Sequence, residues 1–268
     1  MILRKKLLLY AGGGSVPGPT PPGPDGYQLL YLQNGDDSSN TKQYAYGIDT
    51  GITWRNVFVN SSSLGLTKPG LETVITYMYS WVPPEGGLIA GCNPRENGNQ
   101  GRDMGGFWRI FGHGGAHFCF DCPSEDDRNQ VSGQMVANRI YTETAKYGYL
   151  GTDELRTYLK VEYDNTVQGE NTMGGLSYSW SDAINPHNLY LWADLSTDAG
   201  SGQDTAPRGG VRIYGFTAWY LENGVRHTKI YEGVPWMDAN NVPCIKDLIS
   251  GQLQYNAGNA TFLYGEIQ

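Results

Sequence analysis

The chain has 268 residues, of which 39% are hydrophobic and 17% charged, and it contains 37 glycines, 19 tyrosines and 7 tryptophans. Tyr and Trp favour pleated, half-buried surfaces and Gly favours turns, so the composition favours β structure. A net charge of -8 excludes attraction to nucleic acid through the bulk field of the chain. No apolar run approaches the roughly 18 residues that a membrane-spanning helix needs, so no membrane partner is expected.

The first ten residues join three cations to an apolar run: Arg4, Lys5, Lys6, Leu7, Leu8, Leu9 and Tyr10. Their order is similar to that of a secretory signal peptide, but the apolar run of residues 7–11 is shorter than the roughly 7–15 residues of a signal sequence. A disordered terminus is a second interpretation. We favour a third, a docking arm of residues 1–10 whose apolar side chains enter a groove on a partner while its cations meet acidic groups.

Residues 11–26, with the sequence AGGGSVPGPTPPGPDG, form a Pro/Gly linker after the docking arm. Glycine keeps the first part flexible, and proline stiffens the second part towards an extended polyproline form. Such a segment cannot bury enough apolar surface to fold by itself. We therefore expect the linker to hold a folded body, residues 27–268, away from whatever the arm binds.

From Tyr27 onward, short apolar or alternating runs are separated by turn clusters, which predicts strands. The predicted strands cover residues 27–33, 72–82, 87–92, 106–112, 116–122, 156–164, 175–181 and 188–196, with two short strands within 253–258 and 261–265. The clearest hairpin spans residues 210–233, because Asn223-Gly224 is a strong two-residue turn signal. No segment shows a convincing amphipathic helix, so we predict an all-β, antiparallel β-sandwich.

Four cysteines, Cys92, Cys119, Cys122 and Cys244, are spread through the body with irregular spacing. This spacing in a chain of this length is not typical of a disulfide framework. We therefore expect reduced thiols that are buried as small hydrophobic side chains.

The run HGGAHFCFDC places His113, His117, Cys119 and Cys122 within ten residues, a spacing similar to that of a zinc cluster. In a strand, successive side chains point to opposite faces. That alternation separates two sets of side chains: His117, Cys119 and Asp121 on one face, and Phe118, Phe120 and Cys122 on the other. An unbroken strand then cannot close a tetrahedral site, whereas a knuckle-like turn could. The strand interpretation predicts neither a bound metal nor a cofactor.

Paired carboxylates are the mark of glycoside hydrolases, in which one acts as acid and the other as nucleophile or base. Glu162 and Asp164 lie two residues apart, so a strand over residues 156–164 places them on one face. The next position of that face is Thr166 rather than a third carboxylate, which favours a solvated strand face. Residues 123–130, PSEDDRNQ, hold three carboxylates in a loop, where a solvated turn is favoured over a divalent-cation site.

The histidines do not form a recognisable nucleophilic site in the sequence. His187 lies in a turn before a predicted strand, and His227 lies in the outgoing strand of the predicted hairpin, where polar surface residues are usual. Neither a G-x-S-x-G nucleophile elbow nor a phosphate-binding glycine loop occurs. We therefore predict no catalytic residue and do not expect an enzyme.

Aromatic rings near strand ends are the remaining candidates for binding, because Trp and Tyr stack on sugar rings while Asn and Asp bind hydroxyl groups. Trp54, Trp180 and Trp236 are in such positions. Packing in the core is the alternative for each of them, and no sequence pattern selects among the three.

The stretch YAYGIDTGI, residues 44–52, resembles the YIDTGI block that opens a family of concanavalin A-like (laminin-G-like) jelly-roll domains of gut Bacteroidota and their phages. In that family a tyrosine-rich first strand and a short polar stretch precede the block, as YQLLYLQNGDDSSNTKQ does here. Residues 238–265 resemble the closing pattern of the family, which ends in Phe-x-Tyr-Gly. The resemblance covers residues 27–268 and implies a concanavalin A-like jelly roll.

The residues of the block also have a physical interpretation. Ile48 and Ile52 share an inward face, while residues 49–51 form a turn capped by their own side chains. A closing strand that ends in residues 262–264 then pairs beside the first strand and seals the sandwich. A ligand or Ca²⁺ contact by Asp49 is the alternative.

This family resembles modules that occur in phage virions as head-fibre, decoration or tail-associated proteins, so the resemblance implies a virion protein. The docking arm then binds capsid or tail proteins, and the body displays a lectin-like surface for host glycans. Fibres and decorations are often symmetric, which leaves a homo-oligomer open. A secreted or cell-surface carbohydrate-binding module of a gut bacterium and a glucanase-like glycoside hydrolase are the alternative functions.

Overall fold

The computed structural model of the chain describes residues 25–35, 46–53, 63–82, 87–92, 108–113, 117–122, 127–176, 188–193 and 210–267. The docking arm, residues 1–10, and residues 11–24 of the linker lie outside these ranges, as do Trp54, Trp180 and His187. In the described part of the chain, no helix is long and apolar enough to cross a membrane.

Sixteen strands run through the described residues. Their bounds are β1 (Tyr27–Gln33), β2 (Ile48–Thr53), β3 (Pro69–Tyr79), β4 (Gly87–Cys92), β5 (Trp108–His113), β6 (His117–Asp121), β7 (Arg128–Ser132), β8 (Ile140–Tyr149), β9 (Leu155–Tyr163), β10 (Thr166–Met173), β11 (Asn188–Leu191), β12 (Val211–Glu222), β13 (Val225–Met237), β14 (Pro243–Asp247), β15 (Leu253–Gln254) and β16 (Leu263–Glu266). The all-β class predicted from composition and turn spacing is confirmed.

The strands form two antiparallel sheets. The larger sheet has ten strands in the order β10-β9-β8-β3-β12-β1-β13-β14-β15, with β16 beside β1. The smaller sheet has six strands in the order β2-β11-β4-β5-β6-β7. Asn171 of β10 donates a hydrogen bond from Nδ2 to the carbonyl of Gln130 in β7 at 3.4 Å, where the outer strands of the two sheets meet. The predicted antiparallel β-sandwich is therefore confirmed.

The core lies between the sheets and takes alternate side chains from their strands. Ile75, Tyr77 and Leu159 of the larger sheet belong to one cluster of buried side chains with Phe118 and Phe120 of the smaller sheet. Burial of apolar area stabilises a fold by about 25 cal/mol per Å². The intervening side chains of the larger sheet point the other way, to the face that we call the outer face.

Strands β12 and β13 form the predicted hairpin. Asn223 and Gly224 adopt φ angles of 51° and 83°, as a two-residue hairpin turn requires. The two strands pair from the turn as far as Phe216 and then diverge. Beyond that point β1 lies between them and pairs with β12 at Leu32 and with β13 at Tyr27.

The block at residues 48–52 is a strand that contains two side-chain turns. Ile48 and Ile52 are 0% and 9% exposed, so the predicted inward face is confirmed. Gly51 N donates to Asp49 Oδ1 at 2.8 Å, and Ile52 N donates to Thr50 Oγ1 at 3.2 Å. The predicted capped turn therefore sits inside β2.

The closing segment of the chain fastens to this block. Strand β16 pairs with β1, as predicted. Gly47 N donates to Asn256 Oδ1 at 2.8 Å, and the ring centroids of Tyr46 and Phe262 lie 5.1 Å apart. The first and last parts of the body therefore pack together.

The predicted end of the strand at residue 164 is wrong, and the error changes a candidate site. Strand β9 ends at Tyr163, and Asp164 and Asn165 form a two-residue turn with φ angles of 48° and 54°. Asp and Asn tolerate positive φ better than other side chains, so this pair closes a hairpin as Asn-Gly does elsewhere. Asp164 therefore does not share a strand face with Glu162.

Other strands also differ from the predictions. Strands β2, β7, β8, β10 and β14 have no counterpart among the predicted strands. Gly175 and Leu176, the described part of the predicted strand 175–181, are not in a strand. The predicted strand 188–196 is described as far as Ala193, and its strand ends at Leu191.

Candidate functional site

The outer face of the larger sheet carries a row of side chains that crosses six strands. Cross-strand pairing joins the members in order, and we call them the transverse row: Lys229, Trp219, Glu72, Lys146, Tyr158 and Thr172. The strand neighbours Ala218 and Leu159 point into the core, so alternation places the row on the opposite face.

A buried carboxylate lies at the centre of the row. Glu72 is 1% exposed, and its Oε1 accepts a hydrogen bond from Arg226 Nε at 2.6 Å. Its Oε2 lies 2.9 Å from Nζ of Lys146. A buried carboxylate needs such partners, because an uncompensated charge in this position is strongly destabilising. One carboxylate shared by two cations leaves one net positive charge at this point of the row.

Two aromatic rings stand beside these cations. The ring centroid of Trp219 lies 4.9 Å from the guanidinium carbon of Arg226 and 4.9 Å from Nζ of Lys229. Nζ of Lys146 lies 5.5 Å from the ring centroid of Tyr158. Cations at these distances are attracted to the faces of aromatic rings. Both rings are therefore held in position by neighbouring side chains.

The hydroxyl of Tyr158 is a fixed donor. It donates to Oε2 of Glu170 at 2.8 Å. Burial and the nearby Glu170 carboxylate raise the pKa of Tyr158 above its ordinary value. The phenol therefore keeps its proton at neutral pH and remains uncharged.

Small side chains form the surface next to the transverse row. We call this surface the threonine floor, and it contains the next outer-face positions on β12, β3 and β8: Thr217, Val74, Thr144, Gly215, Thr76 and Thr142. The hydroxyl oxygens of Thr76 and Thr142 lie 3.2 Å apart. The floor is therefore low and lined with hydroxyl groups between taller side chains.

Aromatic side chains occur again at the far end of the threonine floor. The guanidinium carbon of Arg212 lies 4.7 Å from the ring centroid of Tyr31, and the rings of Tyr31 and Tyr214 are 5.6 Å apart. Burial raises the pKa of Tyr214 above its ordinary value, so this hydroxyl also stays protonated. Trp219 and Tyr214 are five positions apart on β12, roughly 16 Å at about 3.3 Å per residue.

This arrangement has the chemistry of a sugar-binding surface. Aromatic rings offer flat apolar faces for the C–H groups of a sugar ring. Hydroxyl, amide and charged side chains nearby offer hydrogen bonds to its hydroxyl groups. The transverse row and the threonine floor place both kinds of group side by side.

The predicted carboxylate pair, Glu162 and Asp164, does not share a strand face in the structure. Glu162 lies on the outer face, opposite Thr142, and its Oε2 is 3.0 Å from Nζ of Lys160. Asp164 is in the turn between β9 and β10. The ion pair with Lys160 agrees with the prediction that Glu162 is part of a solvated strand face.

Residues 117–121 of the histidine and cysteine run form strand β6, as predicted. Cys119 packs with Leu88 and Phe111 in a small cluster, whereas Cys122 belongs to the main core with Phe118 and Phe120. The two thiols therefore point apart, as expected. Within the described ranges, no group of three or more His, Cys, Asp or Glu side chains is placed to hold a metal ion.

All four cysteines are buried, and none of them forms a disulfide, as predicted. Burial raises the pKa of the Cys122 thiol well above its ordinary value and raises that of Cys244 to about 12. Because the thiolate is the reactive form, both groups are inert at neutral pH.

The two described histidine side chains make local contacts. Nδ1 of His117 lies 3.5 Å from Oγ of Ser132, and Nδ1 of His227 lies 2.8 Å from Oγ1 of Thr228. His227 is exposed, as expected for a polar surface residue.

Trp236 and Asp49, two candidate ligand contacts, have structural roles. Trp236 Nε1 donates to the carbonyl of Asp25 at 3.0 Å, at the start of the described chain. Oδ2 of Asp49 accepts hydrogen bonds from Asn188 Nδ2 at 2.8 Å and from Tyr190 OH at 3.3 Å. Asp49 therefore joins β2 to β11, in agreement with a packing and turn role for the block.

The aromatic residues of the transverse row were not among the sequence candidates. Strand alternation in residues 216–220 puts Phe216, Ala218 and Tyr220 on one face and leaves Trp219 on the other. That pattern was available in the sequence. Of the two cross-strand neighbours of Trp219, Lys229 belongs to the same hairpin, but Glu72 comes from a distant part of the chain.

Solved structures resemble this chain only at low sequence identity and with TM-scores below 0.5. A CBM40 of the Ruminococcus gnavus IT-sialidase, bound to α2,3 sialyllactose, is 11% identical with a TM-score of 0.36, over 71% of this chain and 89% of that chain. Peanut lectin with a 9mer peptide is 14% identical with a TM-score of 0.35, over 60% and 75%. The marine PL-14 alginate lyase from Aplysia kurodai is 10% identical with a TM-score of 0.34, over 57% and 69%. No protein-family model and no curated protein matches the chain.

Proposed function

We propose that this chain is a carbohydrate-binding, lectin-like β-sandwich whose glycan-binding surface is the outer face of the larger sheet. The transverse row carries the proposal, because it places the rings of Trp219 and Tyr158 beside fixed cations. The threonine floor next to it supplies hydroxyl groups. The proposed role is non-enzymatic.

The test of this surface is the removal of its largest ring. We expect Trp219→Ala to weaken the binding of glycans that the wild-type chain retains on a glycan array by at least tenfold, which corresponds to about 1.4 kcal/mol. The expected cause is the loss of the apolar stacking face. Dissociation constants from isothermal titration calorimetry measure the change.

A matched variant removes an exposed ring elsewhere. Tyr264 on β16 is 42% exposed, and Tyr264→Ala should leave glycan binding unchanged. Thermal unfolding of both variants checks that they are folded. Equal binding by the wild-type chain and a folded Trp219→Ala variant would exclude the row as the binding surface.

We further propose that the body is displayed on a phage virion, as a head-fibre, decoration or tail-associated protein of the YIDTGI type. The support is the sequence of the docking arm and linker together with the resemblance of residues 44–52 and 238–265. The docking arm would bind a capsid or tail protein, while the sandwich faces outward. A secreted carbohydrate-binding module is the competing role.

Deletion of residues 1–10 tests the virion role. We expect the truncated chain to be lost from purified particles while its circular dichroism and thermal unfolding stay those of the full chain. Normal incorporation of the truncated chain would contradict the docking arm. Mass spectrometry of the mature chain separates the two roles, because a cleaved N-terminal segment indicates secretion.

A further inference from the structure

A cavity of about 260 Å³ opens at one end of the transverse row. Its lining includes three members of the row, two residues that follow β8 and β12, and the first residue of β13: Lys146, Tyr158, Thr172, Leu150, Asn223 and Val225. It is smaller than the roughly 300–1,000 Å³ pockets that enclose drug-sized ligands. One sugar ring or one substituent fits it better than a whole oligosaccharide does.

One positively charged side chain lies in the lining of this cavity. Among the described residues that line it, Lys146 alone carries a charge. Glu72, the carboxylate partner of Lys146, is also bound by Arg226, so the three groups together keep one net positive charge. Glu170 lies outside the lining and accepts the hydrogen bond of the Tyr158 hydroxyl.

The remaining walls supply hydrogen bonds and an apolar rim. A lysine has three donors, so Lys146 keeps donors beyond the one directed at Glu72. Thr172 and Asn223, two residues with polar side chains, line the same space, and Val225, 70% exposed, also lines it. The positive φ of Asn223 fixes this turn before any ligand binds.

We propose that this cavity takes a single negatively charged sugar residue, bearing a carboxylate or a sulfate group, from a glycan that lies on the transverse row. The inference rests on the proposed function of the outer face. The anionic group binds the ammonium group of Lys146, while the rest of the glycan stacks on the aromatic rings of the transverse row. Ammonium–anion hydrogen bonds are stronger than neutral ones, so the charge selects the ligand.

The test places a negative charge on the rim. Val225→Glu changes an exposed side chain and so should leave the fold intact, while its carboxylate repels an anionic ligand. The matched control is Val242→Glu, the same change of charge at a residue that is 42% exposed and outside the cavity lining. Calorimetric titrations use three probes: an oligogalacturonate, a sulfated galactan oligosaccharide and a neutral galacto-oligosaccharide.

We expect at least one anionic probe to bind the wild-type chain at least tenfold more tightly than the neutral probe. Val225→Glu should weaken that binding at least tenfold and change the neutral probe less than twofold, and Val242→Glu should change neither. The carboxylate and sulfate probes identify which anion is preferred.

Two results would overturn the inference and leave the proposed function standing: equal binding of anionic and neutral probes, or equal effects of Val225→Glu and Val242→Glu on an anionic probe. A different result, in which no glycan binds the wild-type chain, would instead refute the proposed function. Lys146→Met provides a second variant, and it should abolish the preference for the anionic probe while Arg226 still holds Glu72.

Discussion

Glu143 is a carboxyl group placed in the apolar core. It is 0% exposed and its Oε2 accepts a hydrogen bond from the hydroxyl of Tyr77 at 2.9 Å. Burial raises the pKa of Glu143 from 4.5 to about 8, although the bond from Tyr77 acts in the opposite direction. The carboxyl group is therefore mainly neutral in the folded chain at pH 7.

This pKa makes stability depend on pH with a defined sign. Unfolded Glu143 loses its proton near pH 4.5 but folded Glu143 keeps it until about pH 8. Its contribution to the free energy of unfolding is therefore full below pH 4.5 and is lost as pH rises to 8, at about 1.4 kcal/mol per pH unit. We expect Glu143→Gln to remove this pH dependence. The free energy of unfolding of the variant, minus that of the wild-type chain, should therefore be larger at pH 8 than at pH 5.

Urea unfolding of the wild-type chain and Glu143→Gln at pH 5 and pH 8 measures the effect. Other groups titrate in both chains, so the difference between the two profiles isolates Glu143. Parallel profiles across this range would show that the folded pKa is not raised.

At the scale of the strands, Asn256 fastens the closing segment to the start of the body. Its Oδ1 accepts from the amides of Gly47 and Gly258 at 2.8 and 3.1 Å, and its Nδ2 donates to the carbonyl of Ala260 at 2.8 Å. Gly47 is buried, so its amide has no access to bulk water in place of this bond. One side chain therefore serves three backbone groups.

We expect Asn256→Ala to lower the free energy of unfolding by about 1–3 kcal/mol, because a buried backbone donor loses its acceptor. Chemical unfolding monitored by tryptophan fluorescence measures the loss. Asn259→Ala, an exposed position in the same segment, is the control and should change stability little. A similar effect of both substitutions would argue against this role of Asn256.

The sequence predicted the strands that have an apolar pattern or a strong turn signal. The Asn223-Gly224 turn located the β12–β13 hairpin, because few other residue pairs accept two positive φ angles. Strand β8 was missed since Glu143 occupies an inward position and interrupts the apolar alternation. Strand β10 was missed since its side chains are mostly exposed and polar.

At the scale of the whole molecule, the candidate site depends on register rather than on local sequence. The outward orientation of Trp219 follows from alternation, but its neighbours Glu72 and Lys146 are separated from it by many residues of chain. A shift of one residue in any pairing would turn a strand's side chains to the other face. A motif search therefore could not assemble the transverse row, whereas it could outline the sandwich.

The position of β1 has a mechanical consequence. Strand β1 is held by β12, β13 and β16, and the indole of Trp236 binds the carbonyl of Asp25 just before it. Tension on the preceding chain would act along β1, while the bonds of an antiparallel ladder run across it. The hydrogen bonds of β1 are then loaded together in shear, so they share the force and do not break one after another. Such an attachment resists pulling better than a strand at the margin of a sheet.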